Sequence, residues 1–302
     1  MGNLLRIAGC LLFGGALWVA YTQAPQPSKL DTVKLKDDLY VIHNDYVPGN
    51  STALITNEGV ILVDDKFPQD YAGIMAELKK ITNQPVKYIV NTHHHGDHSG
   101  SNPNFQMAGA QIVSSEAARR NMVDGKQPGL PNITIDDHAS LYLGGKHVEL
   151  YYFGRAHTNG DIVAYFPDHK VLASGDMFTI GDATPELIDY SGGGSAKEWP
   201  RTVEKALKLD FTTVVPGHGP VGNKGDMEKF RVDADKLKNR IHDMVAQKKS
   251  RAEIAKAMGL APHEKVAGLM YFGTPAGPLE DRPRPDPASL LTRSEEHTSE
   301  LQ

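Results

Sequence analysis

A single cysteine, Cys10, occurs among the 302 residues. One thiol cannot build an intramolecular disulfide framework or a cysteine-rich zinc module. Positive charge is short as well: 32 Lys and Arg stand against 37 Asp and Glu, a formal net charge of −5. No basic footprint exists, so nucleic acid is not an expected partner. Long apolar runs are missing except near the start, where Ile7–Tyr21 follows Arg6 and gives way to Thr22-Gln23-Ala24. That run falls short of the ~20 apolar residues a spanning helix needs. A positive start, a short apolar stretch and a terminal small residue read as a signal peptide over residues 1–24, with an N-terminal anchor as the alternative. The expected location is therefore exported, periplasmic or extracellular, with no stable membrane partner beyond such an anchor. Ile7-Ala8-Gly9-Cys10 mimics a lipoprotein box, but its apolar stretch follows the cysteine, which argues against lipidation. No serine sits in a G-x-S-x-G elbow, so nothing points to a serine nucleophile.

What remains is an ordinary globular composition, 40% hydrophobic and 23% charged, with thirteen histidines. Four of those crowd into His93–His98. Residues 275–287 hold five prolines, so an irregular tail is expected over 275–302. Its last ten residues, 293–302, match the translation of a common sequencing adapter and are expected to be an artefact.

Between the ends, strand and helix patterns alternate. Leu39–His43, Thr52–Thr56 and Val60–Asp64 read as short strands, and Tyr71–Ile81 as a helix. Val86–Asn91 reads as a buried strand ending at the histidine cluster. Gln111–Ser114 is a strand and Ser115–Met122 a helix. Ile133–Leu143 and Val148–Phe153 flank Gly144-Gly145, a hairpin signal. Ile162–Phe166, Val171–Ser174 and Thr213–Val215 are further strands, and Ala196–Leu207 is a helix. An apolar stripe from Met227 to Val245 marks a long helix. Ser250 and Glu253 form a capping box for a last helix ending at Gly259. The expectation is a single α/β domain over residues 30–265.

The chemistry lies at strand ends. Asn91-Thr92-His93-His94-His95-Gly96-Asp97-His98 follows a strand directly, on a loop of the kind that gathers binding groups. Side chains alternate along extended chain, so His93 and His95 point one way and His94 the other. Gly96 lets the backbone bend, bringing Asp97 and His98 to a second nearby ion. His157, Asp176 and His218 each sit beside glycine after a strand. Alone, each is more often a turn residue. Four such segments together suit a metal site, because imidazole and carboxylate both bind zinc at about 2.0–2.2 Å.

These segments resemble the metallo-β-lactamase superfamily: an H-x-H-x-D-H motif (His93, His95, Asp97, His98), then His157, Asp176 and His218 in order, over about residues 38–245. The resemblance implies an αββα metallo-β-lactamase sandwich with metals at one edge of the sheets. It also implies two zinc ions. One takes His93, His95 and His157; the other takes Asp97, His98 and His218; Asp176 bridges them. Asp64 matches the family's early structural aspartate, which supports the ligands from behind.

Asp176 stands where cysteine-containing β-lactamases have a cysteine, as in glyoxalase-II-like and generalist members, and the terminal ligands resemble the third β-lactamase subclass. No glutathione-binding basic stretch is recognisable. The expected activity is hydrolysis of an amide, lactam, ester or thioester bond in a small-molecule substrate by a metal-bridging hydroxide, with weak β-lactamase activity. Asp97 would be catalytic, orienting the hydroxide and shuttling its proton. The alternatives are a dedicated metallo-β-lactamase and a mononuclear iron oxidoreductase resembling persulfide dioxygenases. Tyr46 and Asn50, between two early strands, are expected at the substrate rim. Ser191–Ser195 is also expected there, and its three glycines suggest mobility.

Overall fold

The computed structural model describes residues 26–181 and 188–257. The expected signal peptide, the 275–302 tail and the end of the last helix at Gly259 lie outside the described residues. The chain divides into two compact units, residues 1–241 and 242–302. Both sheets and every expected site residue lie in the first. In the second, the described part carries the short helix Arg251–Ala257. The capping box opens that helix: Ser250 N donates to Glu253 Oε2 at 2.7 Å and Glu253 N to Ser250 Oγ at 3.3 Å.

The first sheet has seven strands in chain order: β1 (Asp31–Lys34), β2 (Leu39–His43), β3 (Ser51–Ile55), β4 (Val60–Val63), β5 (Val86–Val90), β6 (Gln111–Ser115) and β7 (Ile133–Ile135). The first four pair antiparallel, the last four parallel. The second sheet runs β13-β12-β11-β10-β9-β8, built from β8 (His138–Leu143), β9 (Lys146–Tyr152), β10 (Ile162–Phe166), β11 (Val171–Gly175), β12 (Thr213–Pro216) and β13 (Gly222–Asn223). Its pairs are antiparallel except β11 with β12.

Three apolar clusters give the layers. Val41, Leu54, Ile61 and Val90 of the first sheet meet Val148, Leu150, Ala164 and Phe166 of the second, so the sheets pack face to face. The outer face of the first sheet, with Ala53, Leu62 and Ile89, is covered by Ile74 and Leu78 of helix α1 (Tyr71–Ile81) and by Phe105. The outer face of the second, with Val163, Leu172 and Val214, is covered by Trp199, Val203 and Ala206 of a second helix (Trp199–Ala206), and by Met227 and Phe230. The architecture is the expected α/β sandwich of two sheets between helices. Strands buried on both faces, such as β10 and β11, account for their unbroken apolar runs.

One expected strand is two. Ile133–Leu143 breaks at Asp136-Asp137, and β7 and β8 lie in different sheets. The exposed aspartates carry the crossing, and the Asp137 carbonyl already accepts from Tyr152 N of the second sheet at 2.7 Å. Apolar alternation cannot mark such a crossing, because both halves face the same central core.

Candidate metal centre

The carboxyl ends of β4, β5, β11 and β12 converge, and all the expected ligands but one stand on the chain just beyond them; His157 comes from the connection between β9 and β10. Asn91–His95 leave β5, and helix α2 (Gly96–Ser99) begins at once. Asp97 and His98 therefore sit on a helical turn. Gly96 is not what bends the chain: it lacks a left-handed backbone angle and has open space where a Cβ would be. Ser99 Oγ donates to the His94 and His95 carbonyls at 3.0 Å each, fixing the turn. Asn91 Nδ2 donates to the His98 carbonyl at 3.1 Å.

Two triads of donor atoms result. In the first, His95 Nδ1 lies 3.1 Å from His93 Nε2 and 2.9 Å from His157 Nε2. In the second, His98 Nε2 lies 3.2 Å from His218 Nε2, and Asp97 Oδ2 lies 3.6 Å from His98 Nε2 and 3.3 Å from His218 Nε2. A tetrahedral ion with bonds of 2.0–2.1 Å has ligand edges of about 3.3–3.4 Å. The second triad has those dimensions; the first is slightly tight. Asp176 faces both. Its Oδ2 is 3.7 Å from His93 Nε2 and 3.5 Å from His157 Nε2, while its Oδ1 is 3.2 Å from His98 Nε2 and 3.3 Å from His218 Nε2.

The proton inventory tests whether a cation belongs there. A neutral imidazole has one N–H, and its partners assign it. His98 Nδ1 faces Asp64 Oδ2 at 2.8 Å and His218 Nδ1 the Tyr46 carbonyl at 2.8 Å, both acceptors. His95 Nε2 faces Asp189 Oδ2 at 2.9 Å. The Thr92 hydroxyl donates to Asp64 Oδ2 at 2.7 Å, so it accepts from His93 Nδ1 at 3.2 Å. In these four rings the N–H is thus directed outward, and their lone pairs crowd inward at contact distance. Asp176 Oδ1 is buried there with no hydrogen bond. Lone pairs facing one another repel, and a shared cation removes the conflict. The donor set fits zinc or a similar transition metal.

Charge follows the same geometry. Burial opposes ionisation of Asp176, but His98, His218 and His93 outweigh it and hold the carboxyl well below its ordinary range. Burial likewise opposes charge on His98, yet Asp176, Asp97 and Asp64 raise it well above the usual imidazole value: the three carboxylates favour a positive charge at Nε2, whether a proton or a metal cation. His93 goes the other way, lowered by burial and then by the charge favoured at His98.

Other expectations resolve individually. Asp64 supports from behind: besides His98 it accepts from Thr92 N at 2.7 Å. His94 belongs to neither triad: its Nε2 lies 3.5 Å from Asp189 Oδ2, which it shares with His95. Tyr46 is 38% exposed beside His218, with ring centroids 5.2 Å apart. Asn50 is not at a rim: it is buried, and its amide donates to the Pro216 and Gly219 carbonyls at 2.9 Å, bracing the turn that carries His218. The glycine tract 192–194 is packed rather than slack. A Cβ on Gly194 would lie 2.1 Å from the His157 carbonyl oxygen, and Gly194 N donates to the Asp189 carbonyl at 2.7 Å.

Asp189 and Lys66 escape sequence reasoning. Burial opposes ionisation of Asp189, but His94 and His95, with Ser191 and Gly192 N, outweigh it and hold its carboxyl far below its ordinary value. A lone aspartate between irregular residues gives no signal of that. Lys66 is fully buried. Burial lowers its ammonium to about 7 against the opposing pull of Asp70, Asp64 and Asp97. Three charged residues (Asp64, Asp65, Lys66) straight after a buried strand were the available hint.

A profile of the Metallo-beta-lactamase superfamily matches residues 44–218, which contain both triads, and the chain belongs to that superfamily. Among its relatives are "Metallo-beta-lactamase type 2" of Bacillus cereus, 28% identical over 59% of this chain and 70% of the relative, and "Metallo-beta-lactamase type 2" of Bacillus sp. (strain 170), 27% identical over 74% and 95%. A solved metallo-beta-lactamase from Pontibacter korlensis superposes with a TM-score of 0.62 at 24% identity, over 68% of this chain and 99% of that one. DIM-1 metallo-beta-lactamase gives 0.60 at 19%, over 71% and 99%. At these identities the solved structures speak for the fold.

Proposed function

We propose that the protein is an exported dinuclear zinc hydrolase that cleaves an amide, lactam, ester or thioester bond in a small molecule. Superfamily membership supports a metal-dependent hydrolase. The observation carrying the finer reading is Asp176, whose two carboxylate oxygens face separate triads at 3.2–3.7 Å. A mononuclear centre would leave one triad unused. For that reason the complete set Asp97, His98 and His218 disfavours the single-iron alternative.

His93, His95 and His157 would hold one ion, Asp97, His98 and His218 the other, with Asp176 between. Zinc bound there would supply Lewis acidity and a water whose pKa falls from 15.7 toward ~7. The protein's own part is orientation and proton handling. Asp189, Thr92, Asp64 and the Tyr46 carbonyl each fix one imidazole by its outward N–H. Asp97 is the more open acid of the centre: its side chain is 19% exposed, against 11% for Asp176. It can take a proton from the attacking water and return it to the leaving group.

The reading includes weak lactam cleavage. Efficient turnover would need contacts that strengthen in the transition state, such as a cation on the drug carboxylate. Between Asp176 and Ser195 the sequence has no lysine or arginine. Met177, Phe178 and Thr179 are buried, so the hydroxyl there is no substitute. Asp182, which would repel an anion, lies outside the described residues. Native mass spectrometry with a panel of chromogenic esters, thioesters and lactams tests the proposal. Two zinc ions per chain with ester or thioester turnover support it. One tightly held iron without zinc refutes it, and penicillin turnover above about 10⁵ M⁻¹s⁻¹ would mark a dedicated β-lactamase.

A further inference from the structure

Lys66 is among the largest fully buried side chains of the described residues, and none of the chemistry above uses it. A buried ammonium is costly unless it is paired and hydrogen-bonded. Its position shows what it holds. Lys66 Nζ donates to the Gly49 carbonyl and lies 3.5 Å from Asn44 Oδ1. Both acceptors belong to the loop between β2 and β3, residues 44–50.

That loop touches the second triad repeatedly. Gly49 packs on the His98 imidazole so closely that a Cβ would lie 2.2 Å from Cε1 and 2.5 Å from Nε2. Tyr46 gives its carbonyl to His218 Nδ1. Asn50 N donates to the Gly217 carbonyl at 2.7 Å, and its amide takes the Pro216 and Gly219 carbonyls. The first triad depends on other partners: His95 on Asp189 and His93 on Thr92. Lys66 therefore ties the segment that packs on His98 from beneath, while Asn50 ties the same segment to the turn that carries His218.

We propose that Lys66 is a positioning residue for the second metal site: by holding the Gly49 carbonyl, it seats the 44–50 loop that orients His98 and His218. The inference rests on the two-ion reading of the centre. An ammonium also repels a cation, so its removal could in principle tighten metal binding. Asp64, Asp70 and Asp97 surround it, however, and offset that charge. What its removal takes away is the tie. Supporting partners of metal ligands are worth about 10–100-fold in affinity.

The test is zinc titration of the full-length protein against a chromophoric chelator, resolving the two binding steps, for wild type, Lys66→Met and Lys66→Gln. Methionine keeps the volume without a donor; glutamine keeps an amide donor. Circular dichroism of the zinc-free proteins checks folding. Lys66→Met is expected to weaken the second step by at least about tenfold, with the first step unchanged, and Lys66→Gln to recover part of the loss. Equal weakening of both steps, no weakening, or tightening of the second overturns the proposal. Should Lys66→Met not fold, Lys66→Gln carries the test alone. Selective weakening of the second step in that variant supports the inference, and two ions bound as in wild type overturn it. A wild-type protein that binds only one ion refutes the dinuclear reading instead, which keeps the two failures apart.

Discussion

Replacing Asp64 by asparagine should cost the second metal ion while leaving the fold nearly intact. Asp64 is 2% exposed and accepts three hydrogen bonds: Oδ1 from Thr92 N at 2.7 Å, Oδ2 from the Thr92 hydroxyl at 2.7 Å and from His98 Nδ1 at 2.8 Å. An asparagine has one acceptor oxygen where the aspartate has two. Thr92 N–H cannot move its proton, so the amide oxygen must face it. The amide NH₂ then faces the Thr92 hydroxyl, which can rotate to accept, and His98 Nδ1. Imidazole can accept only in its other tautomer, with the proton on Nε2. That proton occupies the lone pair the second triad needs. Binding metal would force two donors together in a buried site, a penalty of about 1–3 kcal/mol. At 1.4 kcal/mol per tenfold, second-site affinity should fall by about 5–150-fold. Without metal the variant loses charge-assisted acceptance and takes from the Thr92 hydroxyl proton its carboxylate acceptor, so its stability should drop by about 1–3 kcal/mol. Zinc titration against a competing chelator, with thermal melting of the zinc-free protein, measures both. A folded Asp64→Asn protein that takes its second zinc within about threefold of wild type would refute the tautomer argument.

Asp97→Ala should remove far more turnover than His94→Ala, on the order of the 10²–10⁴-fold credited to general acid–base groups, because His94 lies in neither triad and reaches Asp189, which His95 also holds; equal loss of activity and metal in both variants would show that His94 belongs to the centre. Asp161 is 1% exposed, and burial pushes its carboxyl up to about 7, against the hydrogen bonds from Thr158. A folded state that holds a proton the unfolded chain releases loses stability as pH rises from about 4 to about 7, by up to about 4 kcal/mol at 1.36 kcal/mol per pH unit. Zinc-free Asp161→Asn should therefore gain on wild type across that window, and parallel pH–stability curves would contradict this. Gly194→Ala must move the His157 carbonyl, since its Cβ would meet that backbone oxygen. Its expected signature is a loss of at least about 1–3 kcal/mol and weaker binding at the first site, so an unchanged melting temperature with two zinc ions bound would count against the packed tract.

The sequence by itself determined the strand and helix pattern around the centre and the residues that meet there. β2, the helix Tyr71–Ile81 and β10 have the bounds that apolar periodicity marks, because each buries a face against its own sheet or central core. His93, His95, Asp97, His98, His157, Asp176 and His218 were legible because strand ends, glycine and ligand types coincide in one order. Tertiary structure alone decided the rest. The chain changes sheets at Asp136-Asp137 although its apolar alternation hardly breaks. Asn50 proved to be a brace because its amide finds carbonyls 166 and 169 residues away. Asp189 meets His95 across 94 residues of chain, and Lys66 reaches Gly49 only once β4 lies beneath the 44–50 loop. Ligand identity is a local property and can be read along the chain. The partners that set a ligand's proton and orientation are chosen by contacts between distant segments, which exist only after the sheets have packed.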